Sequence, residues 1–143
     1  SNMTGTYITA QSAGRVMVEA KRGSIITLGS ISSTLAMDPR SYTPGYLRSG
    51  APYVAAKGGV LMITKAMAAE YGEHGVTVNC ISPGQIPKDT TDPDQIENFR
   101  QMNAFQRTGI PENLKGTVAL LASDAGNWIT GQEFRVDGGW SIW

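Results

Sequence analysis

"GSIITLGS", residues 23–30, is the stretch whose reading decides the fold. Ile25, Ile26, Thr27 and Leu28 form a short apolar, β-branched run between glycines, the pattern of a buried strand. The residues before it follow another period. Met3, Tyr7, Ala10, Gly14 and Met17 recur at helical spacing over residues 3–20, and Lys21, Arg22 and Gly23 form a helix stop. The residues after it, 31–50, hold Pro39, Pro44, Gly45 and Gly50 among many polar groups and read as a loop. A long helix rich in alanine and methionine is predicted over 52–72. "GVTVNCI", 75–81, is a second buried strand, closed by "SPG". Residues 84–92 are a polar loop. Asp92, Pro93 and Gln95 then fit the N-cap, first and third positions of a helix. Pro111 and Glu112 open another helix, running to about Ser123, and "QEFRVDGG", 132–139, is a third strand ending in a turn.

Strands alternating with helices predict an α/β fold with a parallel sheet. The crossovers are right-handed and the helices cover the sheet faces. In such sheets ligands bind beyond the carboxyl ends of the strands. Ser30 ends the first strand, and Ser82, Pro83 and Gly84 end the second. Tyr53 opens the helix that follows the first strand's loop, at the same rim.

Composition narrows the function classes. The chain has 143 residues, enough for a single domain, 1–143, with a core of its own. Twelve basic and twelve acidic residues give a net charge of zero. No basic block points to nucleic acid or anionic lipid. One histidine, His74, and one cysteine, Cys80, argue against a multi-histidine metal site and an internal disulfide. No apolar run reaches the roughly 20 residues of a membrane span, and the first residues lack a signal peptide's pattern. The expectation is a soluble, cytoplasmic protein with no metal.

The chemistry lies in "YVAAKGGV", 53–60. Tyr53 and Lys57 stand four positions apart, neighbours on one helix face. A lysine ammonium there favours the phenolate over the phenol. Such a tyrosine can exchange a proton with a carbonyl or alcohol oxygen. A serine hydroxyl at the strand end, Ser30, can hold the same oxygen. The Pro83 and Gly84 turn lets a flat ring approach the main chain. Alone, each feature is most simply a surface pair, a turn residue or punctuation; their order along one rim makes a site for moving a hydride and a proton.

"GSIITLGSIS", "YVAAKGGV", "VNCISPG", "LLASDAGNWITGQ" and "VDGGW", in that order, resemble the C-terminal half of a short-chain dehydrogenase/reductase. The resemblance implies a partial Rossmann-like, doubly wound parallel sheet of about three strands with flanking helices. It implies that Ser30 polarises the substrate oxygen, that Tyr53 is the acid/base, and that Lys57 tunes it and binds the nicotinamide ribose of NAD or NADP. The main chain around Pro83, Gly84 and Ile86 would hold the nicotinamide. "NMTGTY" resembles the segment whose asparagine anchors a water relay, which points to Asn2. The expected partner is a small-molecule substrate.

Two departures refine this. The connection "MDPRSYTPGYLRSGAP" between Ser30 and Tyr53 is longer than in most members and resembles the gluconate and polyol dehydrogenase branch, as does "VDGGWSIW". A sugar acid or polyol is the favoured substrate class. A carrier-bound 3-oxoacyl reductase is the alternative, and a non-catalytic association module is a further one. "PGQIPKDTTD" also departs from the usual continuation, with Thr90 and Thr91 later than expected. The family's Gly-rich phosphate turn belongs to an N-terminal, dinucleotide-binding half that these residues lack. The chain alone is therefore expected to be inactive and to bind NAD(P)H weakly. The edge of residues 24–28 is expected to lack a neighbouring strand, and the chain to be a homo-oligomer, most simply a dimer.

Overall fold

Strand β1 (Gly23–Leu28) lies between two helices, α1 (Asn2–Ala20) and α2 (Ala51–Tyr71), in a computed structural model that describes residues 2–143. Helix α1 stops through Lys21, whose φ of 56° is left-handed, while the Arg22 N–H donates to the Met17 carbonyl at 3.2 Å. The predicted stop is present, but lysine rather than Gly23 takes the left-handed turn. Helix α2 ends in a one-turn 3-10 helix, Gly72–His74, and reverses at Gly75. Gly75 has φ 73°, and a Cβ there would lie 2.8 Å from the Lys21 carbonyl oxygen. Only glycine fits that turn without strain.

β2 (Val76–Pro83) and β3 (Glu133–Val136) complete a sheet of order β1-β2-β3. All pairings are parallel, from Gly23↔Val76 to Leu28↔Ile81 and from Cys80↔Glu133 to Pro83↔Val136. The central strand is the most buried: Val78, Asn79, Cys80 and Ser82 have no exposed surface. Asn79 is a polar residue inside an apolar strand, and both ends of its amide are hydrogen-bonded. Its Nδ2 donates to the Ile129 carbonyl at 2.7 Å, and its Oδ1 accepts from the Gln132 N–H at 3.1 Å. These bonds fix the approach to β3.

Helices α1 and α2 cover one face, where Ala10, Met67, Ala68 and Tyr71 pack on Ile25, Val76 and Val78. On the other face the Ser24 hydroxyl donates to the Leu121 carbonyl of α4 (Lys115–Ala122) at 2.7 Å. Covered on both faces, the strands are continuous apolar runs rather than alternating ones. Among the described residues β1 has one neighbour, and its Leu28 is exposed.

The loop over 31–50 contains two one-turn 3-10 helices, Ile31–Ser33 and Pro39–Ser41. α3 (Pro93–Gln101) is capped by Asp92, whose carboxylate accepts from the Asp94 and Gln95 N–H groups. Gln95 serves another purpose. Its fully buried amide accepts from the Thr43 N–H at 2.8 Å and donates to the Ser41 carbonyl at 2.8 Å, latching the long loop onto α3. The helix predicted from Pro111 begins as a 3-10 turn, Pro111–Leu114, before α4.

Candidate active site

Ser30 follows β1 by two residues. The Gly29 N–H still donates to the Ile81 carbonyl at 2.8 Å, so the chain leaves the sheet in a fixed direction. Ser30 is extended and caps the Ile31–Ser33 turn. Its Oγ accepts from the Ser32 N–H, and its own N–H donates to the Ser33 Oγ, both at 3.1 Å. With an acceptor position of the oxygen used locally, the Ser30 hydroxyl proton is left to point at a ligand.

Gly50 is the N-cap of α2, Pro52 stands in its first turn, and the Tyr53 N–H donates to the Gly50 carbonyl at 2.9 Å. One turn later Lys57 is buried, 8% exposed. Its Nζ donates to the Leu28 carbonyl at 2.8 Å and lies 5.8 Å from the centre of the Tyr53 ring. Burial pushes the Lys57 ammonium below its ordinary pKa, because the charged form loses water.

Ser30 and Tyr53 line one cavity of about 270 Å³ together with Gly84, Gln85 and Ile86. The structure thus brings together four of the sequence-predicted residues, Ser30, Tyr53, Gly84 and Ile86. Lys57 supports Tyr53 without lining the cavity, and Pro83 ends β2 opposite Val136. Asn2 stands apart from it: it is exposed at the start of α1, and its carbonyl accepts from the Thr6 hydroxyl at 2.7 Å. Gly84 has a packing reason of its own, since a Cβ there would lie 2.7 Å from the Asp137 Cα.

An aromatic wall faces this rim. Tyr42 and Tyr46 stack with centroids 5.8 Å apart, and both meet Phe99 edge-on at 6.0 and 6.1 Å. Trp140 supports Phe99 from behind at 6.1 Å. Burial, then the neighbouring Tyr46, pushes the Tyr42 phenol pKa up. None of these four was singled out from the sequence. The available signal was two tyrosines around a Pro-Gly turn in the connection between Ser30 and Tyr53, "SYTPGY". Among the described residues no helix is long and apolar enough to cross a membrane, and no group of three or more histidine, cysteine or acidic side chains is placed to hold a metal.

The profile described as enoyl-(acyl carrier protein) reductase matches residues 1–141. A 3-oxoacyl-[acyl-carrier-protein] reductase of Synechocystis sp. is 38% identical over 139 residues, 96% of this chain and 52% of its own length. A short-chain dehydrogenase from Leptospira borgpetersenii, solved with bound NAD+, superposes with a TM-score of 0.90 at 34% identity, covering 99% of this chain and 54% of that one. A gluconate 5-dehydrogenase from Burkholderia cenocepacia J2315, solved with NADP and tartrate, superposes with a TM-score of 0.88 at 30% identity over the same shares. The chain therefore spans about half the length of the relatives it matches.

Proposed function

Because the chain belongs to the short-chain dehydrogenase/reductase family, we propose that it forms the catalytic half of an NAD- or NADP-dependent oxidoreductase interconverting an alcohol and a ketone. The observation that carries this reading is the shared cavity of Ser30 and Tyr53, with the buried Lys57 one turn behind the phenol. A nicotinamide suits this donor set: Tyr53, Gly84 and Ile86 line one cavity of about 270 Å³, and among the described residues no carboxylate lines it. Pro83, Gly84 and Ile86 would hold the ring, and Tyr53 and Lys57 its ribose. The chemistry such a group supplies is the hydride given to, or taken from, the substrate carbon.

The remaining work falls to this chain's own residues. The Ser30 hydroxyl donates to the substrate oxygen and fixes it beside Tyr53. Tyr53 gives its phenolic proton to that oxygen in reduction and takes it back in oxidation. The Lys57 ammonium stabilises the negative charge that develops on the Tyr53 oxygen as the proton leaves. The favoured substrate is a sugar acid or polyol, supported by the hydroxyl-lined wall of Ser30, Ser32 and Ser49. A second reading, a 3-oxoacyl reductase, is favoured by the 38% identity to the Synechocystis relative.

The test uses a polypeptide in which this chain follows the N-terminal half its relatives carry. Tyr53→Phe is expected to lower kcat by at least about 100-fold, the scale of general acid catalysis, with an unchanged circular dichroism spectrum. Activity within a few-fold of the parent would exclude the role. Gluconate, galactitol and a 3-oxoacyl thioester, followed by NAD(P)H absorbance, separate the substrate readings.

A homo-oligomer is part of the same proposal. Ile8 and Val16 of α1 and Met62 of α2 are exposed apolar side chains, 56%, 67% and 61%, on helices that can pair with a second copy. Light scattering that returned a monomer at low micromolar concentration would end that reading.

A further inference from the structure

The loop over residues 31–50 holds one acidic residue and two arginines. Asp38 and Arg40 satisfy each other: the Arg40 Nε and Nη2 donate to the two carboxylate oxygens at 2.6 to 3.0 Å. Among the described residues Arg48 has no carboxylate partner within ion-pair distance. Its position gives that freedom a meaning. The cavity of Ser30 and Tyr53 adjoins a second one of about 500 Å³, and the two share Met37, Tyr42, Tyr46, Leu47 and Ser49. Arg48 lines the second cavity and, among the described residues, is the one charged side chain lining either. Among the described residues no aspartate or glutamate lines them. Arg48 also lies near enough to Tyr42 for its charge to oppose the upward push that burial gives that phenol.

We propose that Arg48 recognises a carboxylate at the far end of the substrate, so that the favoured substrate is an open-chain polyhydroxy acid rather than a neutral polyol. The proposal rests on the oxidoreductase reading above and narrows it. A guanidinium presents parallel N–H donors that match a carboxylate in two-point contact. The serine and tyrosine hydroxyls between Arg48 and Ser30 meet the hydroxyls of the intervening carbons. The reacting carbinol sits at Ser30 and Tyr53, and the chain extends past Tyr42 and Tyr46 toward Arg48. Arg48 binds and orients; it takes no part in the proton or hydride step.

D-gluconate and D-glucitol make the deciding pair, because they differ in one terminal group, a carboxylate against a hydroxymethyl. Both are assayed with the two-half polypeptide and its Arg48→Gln and Arg48→Lys variants. The parent is expected to prefer gluconate, with a preference that weakens as salt is raised. Arg48→Gln is expected to raise the KM for gluconate by about tenfold or more, the scale of losing a charge-assisted pair. Its kcat, and its KM for glucitol, should stay within about twofold of the parent. Arg48→Lys should recover part of the gluconate KM. Equal changes for both substrates, or an unchanged gluconate KM, overturn the assignment. So does turnover of glucitol or a 3-oxoacyl thioester without turnover of gluconate, which would leave the oxidoreductase reading standing. A folded parent that turns over no alcohol or ketone overturns both.

Discussion

Two apolar clusters hold this molecule together, and they differ in where their residues come from. The first, Ala10, Ile25, Met67, Ala68, Tyr71, Val76 and Val78, is drawn wholly from α1, β1, α2 and β2. It is mainly aliphatic, and every member sits at a strand or helix position that its element's own period directs inward. The second, Ile31, Phe99 and Trp140 with Leu35, Met37, Tyr42, Tyr46 and Met102 around them, comes almost entirely from loops, turns and the end of one helix. It is largely aromatic and stands at the rim where the strands end. The first cluster fixes the sheet; the second shapes the cleft. The periodic elements form the scaffold, and the irregular rim placed on it lines the cavity of the proposed site.

If that division is right, the largest effect comes from a charge placed in the first cluster. Val78 has no exposed surface. Val78→Asp buries a carboxylate with no partner, at a cost of at least about 4 kcal/mol, a large share of the stability of a domain this size. The expected result is the loss of a cooperative thermal transition by circular dichroism. A melt close to that of the parent would show that the strand is not held as described.

A paired truncation sharpens the contrast. Met67 is 3% exposed, and Met67→Ala is expected to lower the unfolding free energy by about 2–4 kcal/mol. In the two-half polypeptide its substrate KM should stay put. Tyr46 is half-buried and stacks on Tyr42. Tyr46→Ala should cost only about 1 kcal/mol of stability while raising KM several-fold. Urea unfolding and steady-state kinetics on both variants check the crossing of effects. If the two variants lose stability and affinity in parallel, the clusters are not separable.

The smallest effect concerns Lys57, which ties α2 to the end of β1 through the Leu28 carbonyl. Its folded pKa lies below the ordinary 10.5, with burial the main cause. Between the lowered value and 10.5 the unfolded chain binds more protons than the folded one, so stability rises with pH across that window. Below the window the buried ammonium is a constant cost. Lys57→Met is therefore expected to be slightly more stable than the parent at pH 7, with the difference shrinking as the pH climbs toward 10.5. Lys57→Met also takes the ammonium donor from the Leu28 carbonyl, which offsets part of that gain. Tyr42 and Tyr71, whose phenols burial pushes above their ordinary 10.0, lose stability for both proteins above that pH and cancel in the difference. Chemical denaturation of both proteins across this range measures it, and a variant less stable at pH 7 would show that the ammonium stabilises the fold.

Residue by residue, the sequence carried the first cluster and little of the second. The run from Ile25 to Leu28 and the spacing of Ala10, Gly14 and Met17 are local signals, because the side-chain period of a strand or helix belongs to that segment alone. The order of elements then dictated parallel strands and the rim at their ends. Ser30 at a strand's end and Tyr53 one turn before Lys57 were legible for the same reason. Tertiary structure decided the rest. Gln95 suits a helix cap by sequence, yet it latches Ser41 and Thr43, since only the packing of the loop on α3 reveals the partner. Phe99 meets Tyr42, Tyr46 and Trp140 because three separate chain exits from the sheet converge at one rim. Among the described residues Arg48 has no carboxylate partner, and Arg40, two residues from Asp38, takes the only carboxylate the loop carries. Periodicity describes what a segment does with its own backbone; which irregular side chains meet depends on the paths of segments far apart in the chain, and no local pattern encodes that.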